Sequence, residues 1–137
     1  MAENKNSLLL KVSLVIFAIM ALVYGLWHFL FPESFVTLSG SEPIDSNWLR
    51  WPGGTLTALG IGALLILRNP KNQGIFITTL ALGNLLAGLA LLYAWITAGE
   101  GSNFWFTVFP AILVLIISAL LWLSLIKAKN ILSSDQK

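Results

Sequence analysis

Four long apolar segments, separated by short polar stretches, dominate the pattern of this 137-residue chain. A bilayer core about 30 Å thick requires about 20 apolar residues in a helix that rises about 1.5 Å per residue. The second segment is the shortest, and it gains length if its helix begins near Ser46 or Asn47. We expect Pro52 and Pro110 in the first turns of the second and fourth helices, where a missing N–H costs least. The pattern predicts four transmembrane helices, at about residues 8–31, 51–67, 74–98 and 104–126.

The connections between these segments are short after the second and third helices, and short loops favour antiparallel neighbours. The first connection is longer, and its PESFVTLSG sequence predicts a short helix that begins with Pro32 and ends at Gly40. We expect this short helix to lie on the outer membrane interface. The pattern therefore predicts an all-α fold, a four-transmembrane-helix up-down bundle that forms a single integral membrane domain over residues 1–137.

Composition agrees with a membrane protein, since 57% of the residues are hydrophobic and only 10% are charged. An ordinary soluble domain has about 25% charged residues. Within the four segments the only charged residue is Lys11, one turn from an end, where its side chain can reach the interface. The chain has no cysteine, which excludes disulfides and thiolate metal sites, and its scattered lysines form no basic tract for nucleic acid. We expect no nucleic-acid partner.

The charged residues predict an orientation. The two loops on the opposite side of the membrane from the termini hold one basic residue, Arg50. The same side holds four acidic residues: Glu33, Glu42, Asp45 and Glu100. Cytoplasmic loops of membrane proteins carry an excess of lysine and arginine. We therefore predict a protein of the cell (inner) membrane with both termini cytoplasmic. The other seven of the eight basic residues then share the cytoplasmic side: Lys5, Lys11, Arg68, Lys71, Lys127, Lys129 and Lys137.

Aromatic residues concentrate on the predicted outer side, whereas Trp122 alone among the tryptophans lies towards the cytoplasmic end. One interpretation is an aromatic belt at the level of the lipid head groups, although such belts usually occupy both interfaces. The other is an aromatic-lined mouth that accepts a lipid, a quinone or another amphipathic molecule. The outer tryptophans are Trp27, Trp48, Trp51, Trp95 and Trp105.

Polar residues near the outer boundary offer candidate chemistry. Tyr24 and the only histidine, His28, lie four residues apart on one helical face, close to Glu33. A histidine beside a carboxylate can transfer a proton or sense pH, but it can equally be a half-buried interface residue bonded to a neighbour. Arg50 either clamps the first loop by pairing with a carboxylate or receives a lipid phosphate. No second histidine or intramembrane carboxylate supports a metal site.

Asn84 lies near the middle of the third segment, where an amide needs a hydrogen-bonding partner. With the small residues around it, Asn84 predicts a helix-packing seam, and the second segment offers a small-residue face able to receive it. Alternatively, Asn84 bonds a quinone, a lipid or a partner subunit. We predict no catalytic residue. The candidate ligand-binding residues are Tyr24, His28, Glu33, Arg50, Trp51, Asn84 and Trp95, and the candidate packing residues are Gly54, Ala58, Gly62, Gly83, Ala87 and Gly88.

Three stretches, YGLWHFLFPESFV, LRWPGGTLTALGIGALLILRNP and ALGNLLAGLALLY, resemble small uncharacterised bacterial four-helix integral membrane proteins that are loosely DoxX-like. The resemblance covers most of residues 15–98 and implies a four-helix protein of the inner membrane. It supplies no catalytic residues. DoxX itself is associated with quinone-linked oxidation, but the chain has no cysteine or evident redox group, so we do not transfer that activity.

Two functions follow as hypotheses. The favoured one is a small non-enzymatic integral membrane protein, either an accessory subunit or a component that binds a lipid or another hydrophobic ligand. Its partners would be membrane lipids and either further copies of itself or another membrane subunit. The alternative is a small membrane enzyme or quinone-reactive subunit with Tyr24, His28, Glu33 and Arg50 around an outer-side pocket. No cofactor is predicted, and a quinone or a lipid is the ligand class left open.

Overall fold

The computed structural model describes residues 2–40, 45–97 and 103–133, with the side chains of the first helix described from Asn6 onwards. Glu42, Glu100 and Lys137, which entered the prediction of orientation, lie outside the described residues. No strand occurs in the described part of the chain. The described ranges contain six α-helices, and a 3₁₀ helix, Ser46–Leu49, precedes the third of them: α1 (Ala2–Leu30), α2 (Pro32–Ser39), α3 (Arg50–Arg68), α4 (Gly74–Thr97), α5 (Phe104–Lys127) and α6 (Lys129–Leu132).

Within the described residues, four helical stretches are long and apolar enough to cross a membrane, which confirms the all-helical, four-helix part of the predicted fold. Large apolar side chains are exposed on all four, and Ile75, Ile96 and Ile126 are among the most exposed. Extensive apolar exposure of this kind is unusual for a soluble monomer and suits a surface in contact with lipid. The four stretches are Asn6–Leu30, Ser46–Arg68, Gly74–Thr97 and Phe104–Lys127.

The long helices pack in the spatial order α3, α1, α5, α4. Helix α1 packs against both α3 and α5, whereas α4 packs mainly against α5. Although a short turn joins α3 to α4, these two helices barely touch. The arrangement therefore leaves a cleft between α3 and α4, with α1 and α5 behind it.

Two glycines allow α1 and α3 to approach closely. A Cβ atom placed on Gly25 would lie 2.7 Å from the backbone nitrogen of Thr57, and one on Gly53 would lie 2.6 Å from the backbone nitrogen of Phe29. These distances are too short for carbon, so only glycine fits at either position. Since Gly25 faces Thr57 while Gly53 faces Phe29, the two helices run antiparallel.

Buried serines connect α5 to its neighbours. The Ser118 hydroxyl donates to the backbone carbonyl of Ala81 in α4 at 2.8 Å, and the hydroxyls of Ser13 and Ser124 lie 2.9 Å apart. Ser13 also donates to the carbonyl of Leu9 at 2.8 Å. These bonds satisfy polar groups that would otherwise be costly to bury in an apolar interior.

The buried apolar core lies towards one end of the bundle. We name this the basic end, because it holds Arg68, Lys71, Lys127 and Lys129. Helix α6 packs there, and the backbone carbonyl of Leu132 accepts a hydrogen bond from the Asn72 amide at 3.0 Å. The largest fully buried apolar side chains of the long helices are Leu14, Phe17, Ile77, Ile117 and Leu121.

The opposite end, which we name the aromatic end, holds Trp27, His28, Phe35 and Phe106. Helix α2 lies at this end and packs against α1 and the 3₁₀ helix. The predicted short helix is confirmed as a helix, since α2 begins at Pro32 and the chain leaves it at Gly40 with a left-handed φ of 73°.

One proline differs from its predicted place. Pro52 does fall in the first turn of α3. Helix α5 begins at Phe104, however, so Pro110 lies in its second turn rather than its first. Because proline has no N–H, the carbonyl of Phe106 receives no hydrogen bond from position 110.

Candidate functional site

A cavity of about 510 Å³ occupies the part of the bundle between the core and the aromatic end. Its volume falls within the range of about 300–1,000 Å³ that is usual for small-molecule sites. The lining is predominantly apolar and comes from all of the helices except α6. Four residues of α1 form its back wall at spacings of three or four, which places them on one helical face: Phe17, Met20, Tyr24 and His28.

The cavity opens sideways through the cleft between α3 and α4. On α4, Thr79, Gly83 and Ala87 repeat every four residues, and each both lines the cavity and is exposed. A Cβ atom on Gly83 would meet no other atom within 4 Å. Leu56 and Leu59 line the α3 side. The opening therefore faces the same surroundings as the outer surfaces of the long helices.

One side chain of α4 crosses the cleft towards the basic end. There the ring of Phe76 in α4 faces Gly62 of α3, so that a Cβ atom on Gly62 would lie 3.0 Å from the ring carbon Cζ. The glycine makes room for the ring, and the ring bridges the two helices. Phe76 therefore lies between the cavity and a second, smaller hollow of the cleft nearer the basic end.

An aromatic cluster covers the end of the cavity. The Phe35 ring of α2 lies 4.2 Å from His28, 5.5 Å from Trp27 and 5.4 Å from Phe106, measured between ring centroids. All three pairs are edge-to-face, an arrangement that aromatic rings prefer. Phe35 therefore attaches α2 to both α1 and α5, and it contributes to the lining as well.

Asn84 is the deepest polar group of the cavity, and it is only 6% exposed. Its Nδ2 atom donates to the Leu80 carbonyl one turn earlier at 2.7 Å. That bond leaves one N–H and the Oδ1 acceptor of the amide free, and the described residues provide no partner for Oδ1. The amide can therefore both accept and donate a hydrogen bond within the cavity.

Tyr24 and His28 add two further polar groups nearer the aromatic end. Their ring centroids are 6.2 Å apart with an interplanar angle of 44°. No described residue forms a hydrogen bond with the Tyr24 hydroxyl or the His28 imidazole. Each of these groups can donate or accept, so the cavity offers three adaptable sites to a bound molecule.

Arg50 serves as a clamp outside the cavity. Its Nη1 atom donates to the Phe29 carbonyl at the end of α1 at 2.7 Å, and its Nε atom donates to Asn47 Oδ1 at 3.3 Å. Asp45 in turn accepts hydrogen bonds from the backbone amide and the side chain of Asn47. The bonds hold the start of α3 against the end of α1, and no carboxylate among the described residues pairs with Arg50.

The structure brings together three of the seven predicted ligand-binding residues, Tyr24, His28 and Asn84. The other four lie outside the cavity. Glu33 is exposed on α2, Arg50 has the clamping contacts described above, and Trp51 and Trp95 are exposed, Trp51 by 78%. The four residues of the alternative enzymatic site therefore do not surround one pocket.

The predicted packing residues separate into several environments. Gly88 packs closely against α5, where a Cβ atom would lie 2.6 Å from the Leu115 side chain. Gly83 and Ala87 belong to the rim of the cavity, and Gly62 faces Phe76. Gly54 and Ala58 make no close contact of this kind: a Cβ on Gly54 would be 3.7 Å from the Phe29 ring, and Ala58 is exposed. Asn84 and its seam thus do not meet a small-residue face of α3, because α4 packs against α5.

Several cavity residues were not singled out from the sequence. Phe17 and Met20 continue the Tyr24–His28 face, so helical spacing was a signal that could have found them. Leu56, Leu59 and Leu91 had no such signal, since they resemble every other apolar residue of their helices. Their place in the lining depends on where the helices separate.

A comparison with protein families places this fold in context. The family model described as "Domain of unknown function (DUF4345)" matches residues 9–124, which include the whole cavity lining. The chain belongs to the DUF4345 family. No curated protein and no solved structure matches it. The family match and the four apolar helices support a small membrane protein, whereas the resemblance to DoxX-like proteins stays a prediction.

Proposed function

We propose that this DUF4345 protein is a small, non-enzymatic integral membrane protein that binds a hydrophobic ligand taken directly from the bilayer. The observation that carries the proposal is the sideways opening between α3 and α4, which joins an apolar cavity to the lipid-facing surface. A ligand dissolved in the membrane would enter without passing through water. The three polar groups of the cavity would then orient it.

The proposed topology follows from the distribution of charge. We place the four long helices across the inner membrane as an up-down bundle, with both termini and the basic end on the cytoplasmic side. Helix α2 and the aromatic end then lie at the outer interface. Membrane lipids are the partners in this proposal. An accessory role in a larger complex and a homo-oligomer stay predictions.

Photolabelling in proteoliposomes tests ligand entry. The probe is a long-chain hydrocarbon with a diazirine in the chain, and the readout is labelling of Met20, which lines the cavity, against Ile96, which is exposed on α4. Gly83→Leu should reduce labelling of Met20, because the new side chain would occupy the opening. Labelling of Ile96 should stay unchanged.

Gly74→Leu is the matched control for this experiment. Like Gly83, Gly74 lies on α4, and a Cβ atom on it would meet no other atom within 4 Å, but Gly74 does not line the cavity. The control should label like the wild type. Equal labelling of Met20 in both variants, or no labelling of Met20 in the wild type, would contradict the proposed function.

A further inference from the structure

We infer that the ligand is an uncharged lipid carrying a hydroxyl or carbonyl group, and that this group reaches Asn84 near the centre of the bilayer. The inference rests on the proposed function, since it specifies the class of molecule that the same cavity would hold. It depends on the depth of Asn84, on the hydrogen-bonding capacity of its amide and on the absence of charge in the described lining.

The depth of Asn84 follows from contacts along α5. Trp27 lies beside Phe106, whereas Ala81 accepts a hydrogen bond from Ser118. These two levels are about 18 Å apart at a rise of about 1.5 Å per residue. Asn84 lies one turn closer to the aromatic end than Ala81 does. Its level is therefore roughly 13 Å from the level of Trp27, measured along the bundle. It also lies close to the middle of α4 (Gly74–Thr97), which puts it near the bilayer centre.

A buried amide at this depth favours a ligand that brings its own hydrogen-bonding group. Asn84 is only 6% exposed, and its Oδ1 acceptor has no partner among the described residues. In lipid, no water replaces a missing partner, so an unsatisfied amide is costly. A hydroxyl would donate to Oδ1, and a carbonyl would accept from the free N–H of the same amide.

The charge of the ligand is restricted by the lining. Among the residues that the structure describes, no aspartate, glutamate, lysine or arginine lines the cavity. A charged group carried to the bilayer centre would lack a counter-ion, and such groups are among the most expensive to place there. A phospholipid head group is therefore disfavoured at Asn84, while a neutral alcohol or ester satisfies both conditions.

A matched set of three photoprobes tests this inference in proteoliposomes of the wild-type protein. The probes are a long-chain alcohol, its phosphate monoester and the corresponding hydrocarbon, each with a diazirine next to the head position. The diazirine then reports where the head of each molecule lies. A free alcohol in a bilayer places its hydroxyl at the interface, so labelling beside Asn84 would be specific to the cavity.

We expect the alcohol to label the wall around Met20 and Asn84, and the phosphate ester to label it at least about tenfold less. Asn84→Leu should lower labelling by the alcohol about three- to thirtyfold, the range that one intramembrane hydrogen bond provides. Labelling by the hydrocarbon should not change. The only described hydrogen bond of the Asn84 side chain lies within its own helix, so we expect the variant to fold. Elution of the variant as a single species in detergent checks this expectation.

The outcomes separate the inference from the proposed function. Equal labelling by the alcohol and its phosphate ester, or an Asn84→Leu variant that labels like the wild type, would overturn the inference alone. In either case, labelling of Met20 by the hydrocarbon would still be lower in Gly83→Leu than in Gly74→Leu. If no probe distinguishes those two glycine variants, the proposed function fails together with the inference.

Discussion

The contact between α1 and α3 predicts opposite effects for two adjacent substitutions, Gly53→Ala and Gly54→Ala. A Cβ atom on Gly53 would lie 2.6 Å from the Phe29 nitrogen, 2.9 Å from the Gly25 carbonyl oxygen and 2.9 Å from the His28 carbonyl carbon. All three are backbone atoms, which no side-chain rotation can move away. A Cβ on Gly54 would be 3.7 Å from the nearest atom, an ordinary contact with the Phe29 ring.

The magnitude follows from these distances. To restore normal contact at Gly53, the helices must separate by most of 1 Å, and overpacking of this kind costs about 1–3 kcal/mol. Alanine regains up to about 1 kcal/mol of helix propensity at either position. Since that gain is common to both variants, the difference between them isolates the clash. We expect Gly53→Ala to be less stable than Gly54→Ala by about 1–3 kcal/mol.

Unfolding measured in mixed micelles with increasing denaturing detergent, followed by helical circular dichroism, gives the two free energies under the same conditions. Gly54→Ala should match or exceed the wild type, and Gly53→Ala should fall below it. If the two variants are equally stable, or if Gly54→Ala is the weaker, the described packing of α1 against α3 is incorrect.

Three further predictions address the aromatic end, the α4–α5 contact and the topology. Phe35→Ala should free α2 and speed hydrogen exchange of its amides, because edge-to-face pairs contribute about 0.5–1.5 kcal/mol each; unchanged exchange would mean that Phe35 does not attach α2. Ser118→Ala should lower stability by about 0.6–2 kcal/mol in the same unfolding assay, since it removes the bond to Ala81, and a neutral effect would contradict that bond. The chain has no cysteine, so single Glu33→Cys and Lys71→Cys variants report topology directly. An impermeant maleimide added to intact spheroplasts should label the first and spare the second, and the reverse pattern would invert the proposed orientation.

Much of the helical structure could be predicted from the sequence. Helix α2 is an example, because Pro32 suits a first helical turn and Gly40 suits a left-handed stop. Pro110 shows the limit of such local rules. Its position relative to the start of α5 depends on Asn103, which caps the helix because its side chain accepts a hydrogen bond from the Trp105 amide. The helix therefore begins at Phe104, and Pro110 falls in the second turn.

The candidate site was only partly predictable. Tyr24 and His28 share a helical face, and Asn84 is polar in an apolar segment, so each differs from its surroundings in the sequence. Trp51 also differed from its surroundings, but it faces outwards. An aromatic residue near the end of a helix can point to a cavity or to the outer surface, and only the rotation of the helix decides between them.

The amino-acid sequence alone is sufficient to specify four long apolar helices, since the near absence of charge over about 20 residues at a time is a local property that any membrane-spanning helix requires. Which helices contact one another, in contrast, becomes known only from the packed bundle. Gly53 rather than Gly54 faces α1, Gly88 faces α5, and α3 stays apart from α4. Each of these contacts depends on the relative rotation and crossing of whole helices. Small and apolar residues occur on too many helix faces for the sequence pattern to specify that rotation and crossing.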